Sequence, residues 1–228
     1  MLRRLDDNLW CSDSSVRLPG GVHMPARMTV VRLDDGLWLH SPLPFDDATT
    51  NAVRELGEVA HIVAPNCFHH LHVAAAAERF PDASIHAPRG LRAKRPDLRI
   101  DADLQSGAER WPAMDVIEID GAPELDEFVF FHRPSGSLIV TDLVFNIHEA
   151  RGLMLPLVLR MVGAWRRLNQ SRIWRRYTKD RSAAAAAVQL VLDHEIRRVI
   201  PAHGDVLEAP DTREQLAGAL AWMRAGAA

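Results

Sequence analysis

Three segments of this chain place metal-ligand residue types just after apolar runs: Pro65-Asn66-Cys67-Phe68-His69-His70-Leu71-His72, then Thr141-Asp142, then Pro201-Ala202-His203-Gly204-Asp205. Imidazole and carboxylate are the groups that hold Zn²⁺, Fe²⁺ or Mn²⁺, and histidine also carries protons near neutral pH. Eleven histidines beside a single tyrosine make their placement informative. A histidine at the end of one strand is ordinarily a hydrogen-bonded structural residue. Recurrence after three apolar runs instead predicts that a sheet gathers the three loops into one metal site.

The elements that must position these loops are legible from periodicity. Asn8 to Ser12, Met28 to Leu33 and Leu37 to His40 read as strands, the last two joined by Asp34-Asp35-Gly36, a hairpin signal. Asp47 to Leu56 reads as a helix stopped by Gly57. His61 to Ala64 is a buried strand, and His70 to Phe80 is helix-forming, so residues 65–69 make a strand-to-helix loop of the kind that carries ligands in α/β proteins. Ala83 to Ala87 is a strand and Arg89 to Lys94 a basic helical turn; Met114 to Asp120, Glu127 to His132 and Ser137 to Thr141 form a second β layer. Two helices are expected over Glu149 to Gln170 and Ala183 to Glu195, then a strand from Arg198 to Ala202 and a closing helix from Thr212 to Met223. No linker-like stretch interrupts the order, which predicts a single domain over 1–228 with two β layers and outer helices.

These motifs, in this order, resemble the metallo-β-lactamase superfold, a four-layer αββα α/β hydrolase fold. Its first motif, H-x-H-x-D-H, follows a strand and opens a helix; a later strand ends in an Asp that bridges two metals, and a further strand ends in His-Gly. The matching stretches are His61 to Ala64 with its loop, Ile139-Val140-Thr141-Asp142, and Val199-Ile200-Pro201-Ala202-His203-Gly204. More narrowly the chain resembles a divergent branch of that superfamily, in which Ala64-Pro65-Asn66 followed by His69-His70 replaces the first motif. Aligned on the family motif, Pro65 and Cys67 stand where two histidines hold the first metal, and Gly121-Ala122-Pro123-Glu124 stands where a Gly-His-Thr supplies a third. The resemblance therefore implies a dismantled first site and a surviving second site of His69, His70, Asp142 and His203, holding one divalent metal, Zn with Fe or Mn as alternatives. His72, three residues after His69 and on the same helical face, is the alternative to His70.

Other polar residues are weighed against structural readings. Glu127 shares a strand face with Val129 and Phe131 and is named, with Asp142, as a candidate to orient or deprotonate water. Glu124 and Asp126 read as a solvated acidic loop, Cys67 as buried and inert, His132 as a hydrogen-bonded residue beside the Arg133-Pro134-Ser135 turn, and His40 as a residue of the site rim. The apolar 152–168 segment, with Leu155, Leu159 and Trp165, is expected to be a lid or homodimer surface near the metal, with core and a membrane-touching basic helix as alternatives.

Composition narrows the function classes. Lys plus Arg total 27 against 30 Asp plus Glu, a net charge of −3 that gives no reason to expect nucleic acid. Two cysteines make no disulfide framework, no signal-peptide core follows the N-terminus, and no apolar run reaches the roughly 20 residues that span a bilayer, so a cytoplasmic location and no transmembrane segment are expected. The sequence thus points to a hydrolase of a small ester, lactone or amide through a mononuclear metal-activated water, acting on a small-molecule substrate. The alternative is a catalytically silent or redox-tuned metal-binding protein that keeps the fold.

Overall fold

The computed structural model describes residues 2–18, 22–107, 110–149, 154–161, 165–170 and 172–225. Seven strands make the first sheet in chain order: β1 (Leu2–Asp6), β2 (Leu9–Leu18), β3 (Val22–Leu33), β4 (Gly36–His40), β5 (Val59–Val63), β6 (Ser84–Ala87) and β7 (Ala102–Asp103). The first four pair antiparallel and β4 to β7 pair parallel. Helix α1 (Asp47–Leu56) is the first parallel crossover, capped by the Asp46 side chain on the Thr49 amide at 2.7 Å. Helices α2 (Val73–Arg79) and α3 (Arg89–Lys94) complete this half.

The second sheet is built from β8 (Met114–Ile119), β9 (Glu127–His132), β10 (Ser137–Val140), β11 (Arg198–Pro201) and β12 (Leu207–Glu208), in the order β12-β11-β10-β9-β8. Between β10 and β11 the chain forms α4 (Met154–Met161), α5 (Arg172–Tyr177) and α6 (Arg181–Leu192); α7 (Thr212–Ala219) and α8 (Ala221–Arg224) close it.

Period-2 alternation sorts the core into three layers. Leu37, Leu39 and Ile62 face α1 to α3, where Val53, Val73, Ala76 and Leu91 pack on them. Trp38, Val63, Phe128, Phe130, Ile139 and Ile200 fill the space between the sheets. Val129, Phe131, Leu138, Val140 and Val199 face α6 to α8. The result is the four-layer αββα sandwich expected from the sequence.

Local departures have local causes. The N-terminal hairpin runs far beyond Asn8 to Ser12, because β2 and β3 stay paired from Leu9↔Val31 to Leu18↔Val22. Helix α2 starts at Val73 and not at His70, since the side chain of Asn66 draws the 66–69 backbone into a turn. The helix expected over 149–170 is confined among the described residues to α4, and Trp165 and Asn169 instead form bridges to Ile147 and Phe145. Residues 152, 153 and 162–164 of that segment, and the Leu155 side chain, lie outside the described residues. His40 lies between the sheets rather than on a rim: it is wholly buried and stacked on Trp38 at 5.5 Å.

Candidate metal centre

Parallel pairing brings the motif residues together. Val140 of β10 is in register with Pro201 of β11, so Asp142 and His203 each stand two residues beyond a paired position, at the carboxyl ends of neighbouring strands. In the other sheet His40 is in register with Val63, which sets Ser41 beside the loop carrying His69. One ligand atom from each of His69, Asp142 and His203 lies within 4.8 Å of the other two. His69 Nε2 is 3.1 Å from His203 Nε2 and 3.4 Å from Asp142 Oδ2, and His203 Nε2 is 3.6 Å from Asp142 Oδ1.

Each of the three is held from behind. His203 Nδ1 lies 2.7 Å from the Pro25 carbonyl, which only accepts, so this nitrogen carries the proton and Nε2 faces the cluster. His69 Nδ1 is 2.7 Å from Ser41 Oγ. Asn66 donates to Asp142 Oδ2 at 2.8 Å and accepts the amides of Phe68 and His69 at 2.9 and 2.8 Å, linking the first loop to the second. Gly204, at φ +100°, packs where a Cβ would stand 2.2 Å from the Asn146 carbonyl oxygen, so only glycine lets His203 sit at this crossing. Burial alone would raise the Asp142 carboxyl, but the His69 and His203 rings hold it well below the usual carboxylate range. Burial lowers His203 while Asp142 raises it, and the carboxylate prevails. With His203 Nδ1 spent on a carbonyl and His69 Nδ1 engaged by the Ser41 hydroxyl, both Nε2 atoms face the Asp142 carboxylate, and this donor set fits a divalent metal.

The other expected site residues fall around this cluster. His70 stands outside it, its Nδ1 2.9 Å from Arg95 Nη1; burial and then the Arg95 and Lys94 charges lower its basicity. His72 lines the neighbouring cleft, and burial lowers it as well. Glu127 is fully buried beneath the Asp142 loop. Its Oε1 accepts the amides of Thr141, Asp142 and Leu143 at 3.2, 2.9 and 3.0 Å and the Thr141 hydroxyl at 2.8 Å, and its Oε2 accepts Trp174 Nε1 at 3.3 Å. Burial and the Asp142 charge push it up to about 7 against those hydrogen bonds. Every bond it makes goes to the loop and to α5, not to the cleft. Asp126 accepts the Gly90 amide at 2.8 Å and Glu124 pairs with Lys179. Cys67 is a buried thiol pushed up to about 11 by desolvation and by Asp126.

The sequence reading gave no role in the site to Ser41 or Phe145, and quoted Asn66 only as part of the Ala64-Pro65-Asn66 motif. Asn66 carried the one usable signal, since Asn before a helix start favours a side-chain turn. In front of the cluster opens a cleft of about 470 Å³. Val16, Met24 and Ala26 of the hairpin, Leu43, Leu125, Phe145, Trp174 and Tyr177 make its walls largely apolar, and His69, Asp142 and His203 line it together.

The fold matches known structures across nearly the whole chain. A metallo-β-lactamase from Hirschia baltica superposes with a TM-score of 0.65 at 12% identity, covering 96% of each chain. The metallo-β-lactamase FIM-1 from Pseudomonas aeruginosa, in its mono-zinc form, gives 0.64 at 15% identity over 98% of this chain and 96% of the other. The chain has the metallo-β-lactamase fold. The Flv1 flavodiiron core from Synechocystis sp. PCC6803 gives 0.63 at 11% identity, covering 98% of this chain and 60% of that one, so the fold reaches beyond lactamases. Residues 6–91 match the family model described as a domain of unknown function, DUF4336, a span that includes His69 but stops short of Asp142 and His203. No curated protein matches the sequence. No helix among the described residues is long and apolar enough to cross a membrane.

Proposed function

We propose that this protein is a metal-dependent hydrolase of an ester, lactone or amide with an apolar substituent, using one divalent cation held by His69, Asp142 and His203. The observation that carries the reading is the meeting of these three ligand atoms in the wall of a largely apolar cleft. Two imidazoles and one carboxylate, with further positions open, are a catalytic donor set for Zn²⁺ and also suit Fe²⁺ or Mn²⁺. His70, the fourth ligand expected from the sequence, is engaged with Arg95 and is not needed for that set. FIM-1 in its mono-zinc form is a precedent for one ion in this fold.

A bound cation would supply Lewis acidity, polarising the substrate carbonyl and lowering the pKa of a water molecule. The chain's own groups do the rest. Ser41 and the Pro25 carbonyl fix the two imidazoles, Asn66 and Glu127 fix the Asp142 loop, and the apolar walls exclude bulk water from the reacting bond. Asp142 is the base at hand, because it is the one carboxylate lining the cleft among the described residues. Glu127, offered by the sequence as a second base, holds the loop in this reading.

Elemental analysis after metal loading and desalting, paired with turnover of a series of nitrophenyl esters and acyl lactones, tests the proposal. About one metal per chain and hydrolysis abolished by chelation are expected. Two tightly bound equivalents would refute the mononuclear site, and stoichiometric metal without turnover would leave a metal-binding protein that is not a hydrolase.

A further inference from the structure

The exposed large apolar side chains of the described residues are Phe68, Leu71, Leu157, Met161 and Leu190, at 39, 61, 52, 67 and 56% exposure. Four of the five lie in the cleft wall or on a helix that packs against a cleft residue. Phe68 and Leu71 line the cleft, whereas Leu157 and Met161 stand one turn apart on α4. The inward Leu159 of that helix packs with Phe145, itself a cleft wall. Such clustering at a ligand-site mouth is what an interaction surface leaves behind.

The same part of the chain carries one sign of charge. Between residues 154 and 179, Arg160, Arg166, Arg167, Arg172, Arg176 and Lys179 are exposed and there is no Asp or Glu, although the whole chain has a net charge of −3. Among the described residues the only ion pair from this stretch joins Lys179 to Glu124. Arg160 and Arg166 flank the Trp165 ring at 5.4 and 5.5 Å, and Lys94 lies 4.1 Å over the Phe68 ring beside the cleft. Helix α5 sends Trp174 and Tyr177 into the cleft while its Arg172 and Arg176 stay in solvent.

We infer that this face, formed by α4, α5 and the Phe68 to Leu71 edge, docks on an anionic lipid surface. Leu157, Met161, Phe68 and Leu71 enter the acyl boundary and the arginines meet the headgroups. A second copy of the chain fits poorly, because a two-fold contact would lay the basic face against itself. The inference goes beyond the hydrolase reading and does not depend on the metal.

Co-sedimentation of the full chain with vesicles of phosphatidylcholine, alone or mixed with phosphatidylglycerol, tests it. Binding to the mixed vesicles only, weakening as salt rises, is expected. Arg166→Gln with Arg167→Gln should lower partitioning about fivefold for each charge removed. Leu157→Ser with Met161→Ser should also lower it, and circular dichroism should find all variants folded, since every side chain changed is exposed. No pelleting with mixed vesicles overturns the inference, as does binding that both double variants leave intact. Self-association abolished by Leu157→Ser with Met161→Ser, without vesicle binding, assigns the face to a second copy instead.

Discussion

At the scale of single residues, the direction of one proton organises the site. His203 donates its Nδ1–H to the Pro25 carbonyl and so turns Nε2 toward His69 and Asp142. His203→Ala deletes a ligand and a hydrogen bond to the hairpin, so bound metal should fall from about one per chain to well below it. At metal a hundredfold above its Kd, the wild type should gain about 2.7 kcal/mol of stability that the variant lacks. Chemical denaturation with and without metal reads this, and an undiminished gain in His203→Ala would remove His203 from the ligand set. His40 makes a different prediction. Both its ring nitrogens are buried without a partner among the described residues, and burial, then the His69 ring, push it down to about 3 from 6.5. The folded state keeps it neutral while the unfolded chain takes up a proton below pH 6.5, so its contribution to stability is lost as pH falls from 6.5 toward 3. Between pH 7 and pH 5 that amounts to about 2 kcal/mol. His40→Phe, which keeps the stacking on Trp38 and the edge contact with Phe130, should be at least as stable at pH 7 and lose about 2 kcal/mol less on going to pH 5. Equal losses in the two proteins would place the titrating group elsewhere.

At the scale of elements, the loop after β10 depends on a carboxylate from the neighbouring strand. Glu127→Ala would strand three amides, a hydroxyl and the Trp174 indole in the interior, costing about 3 to 5 kcal/mol of stability and roughly 10- to 100-fold in metal affinity. Competition titration against a chelator separates the two effects, and unchanged affinity in a destabilised variant would confine Glu127 to the core. Much of this region was legible beforehand. The alternation that put Glu127 with Val129 and Phe131 gave its face and its need for a partner, and apolar runs ending at Ala64, Thr141 and Ala202 gave the loops. What the sequence hid was set by tertiary pairing. The His69-His70 pair reads as two equal ligands, yet the Asn66 turn aims one ring at His203 and leaves the other on Arg95, the residue that caps the C-terminus of α3. The 149–170 segment is read as helical, yet isolated bridges, invisible to periodicity, join Trp165 to Ile147 and Asn169 to Phe145.

At the scale of the whole molecule, the cleft is a product of both sheets. Val16, Met24 and Ala26 come from the β2–β3 hairpin, Leu43 from the loop between β4 and α1, and Leu125, Phe145 and Trp174 from the second half of the chain. Its length along the hairpin is therefore adjustable without touching the ligands. Val16 is half-buried near the hairpin end and lines the cleft, so Val16→Trp would fill part of the apolar volume while leaving the strand pairing with Met24 in place. Each methylene displaced from an apolar wall is worth about 0.8 kcal/mol of binding. Losing two or three of them should lower kcat/KM for a long-chain ester by roughly 10- to 60-fold. An acetyl ester, which has no long chain to lay against the apolar wall, should be hydrolysed at the wild-type rate with the same metal content. Steady-state kinetics across a series of acyl chain lengths gives the result directly. Equal losses for short and long chains would mean that Val16→Trp disturbs the metal end, and no loss for either would mean that substrates do not run along the hairpin.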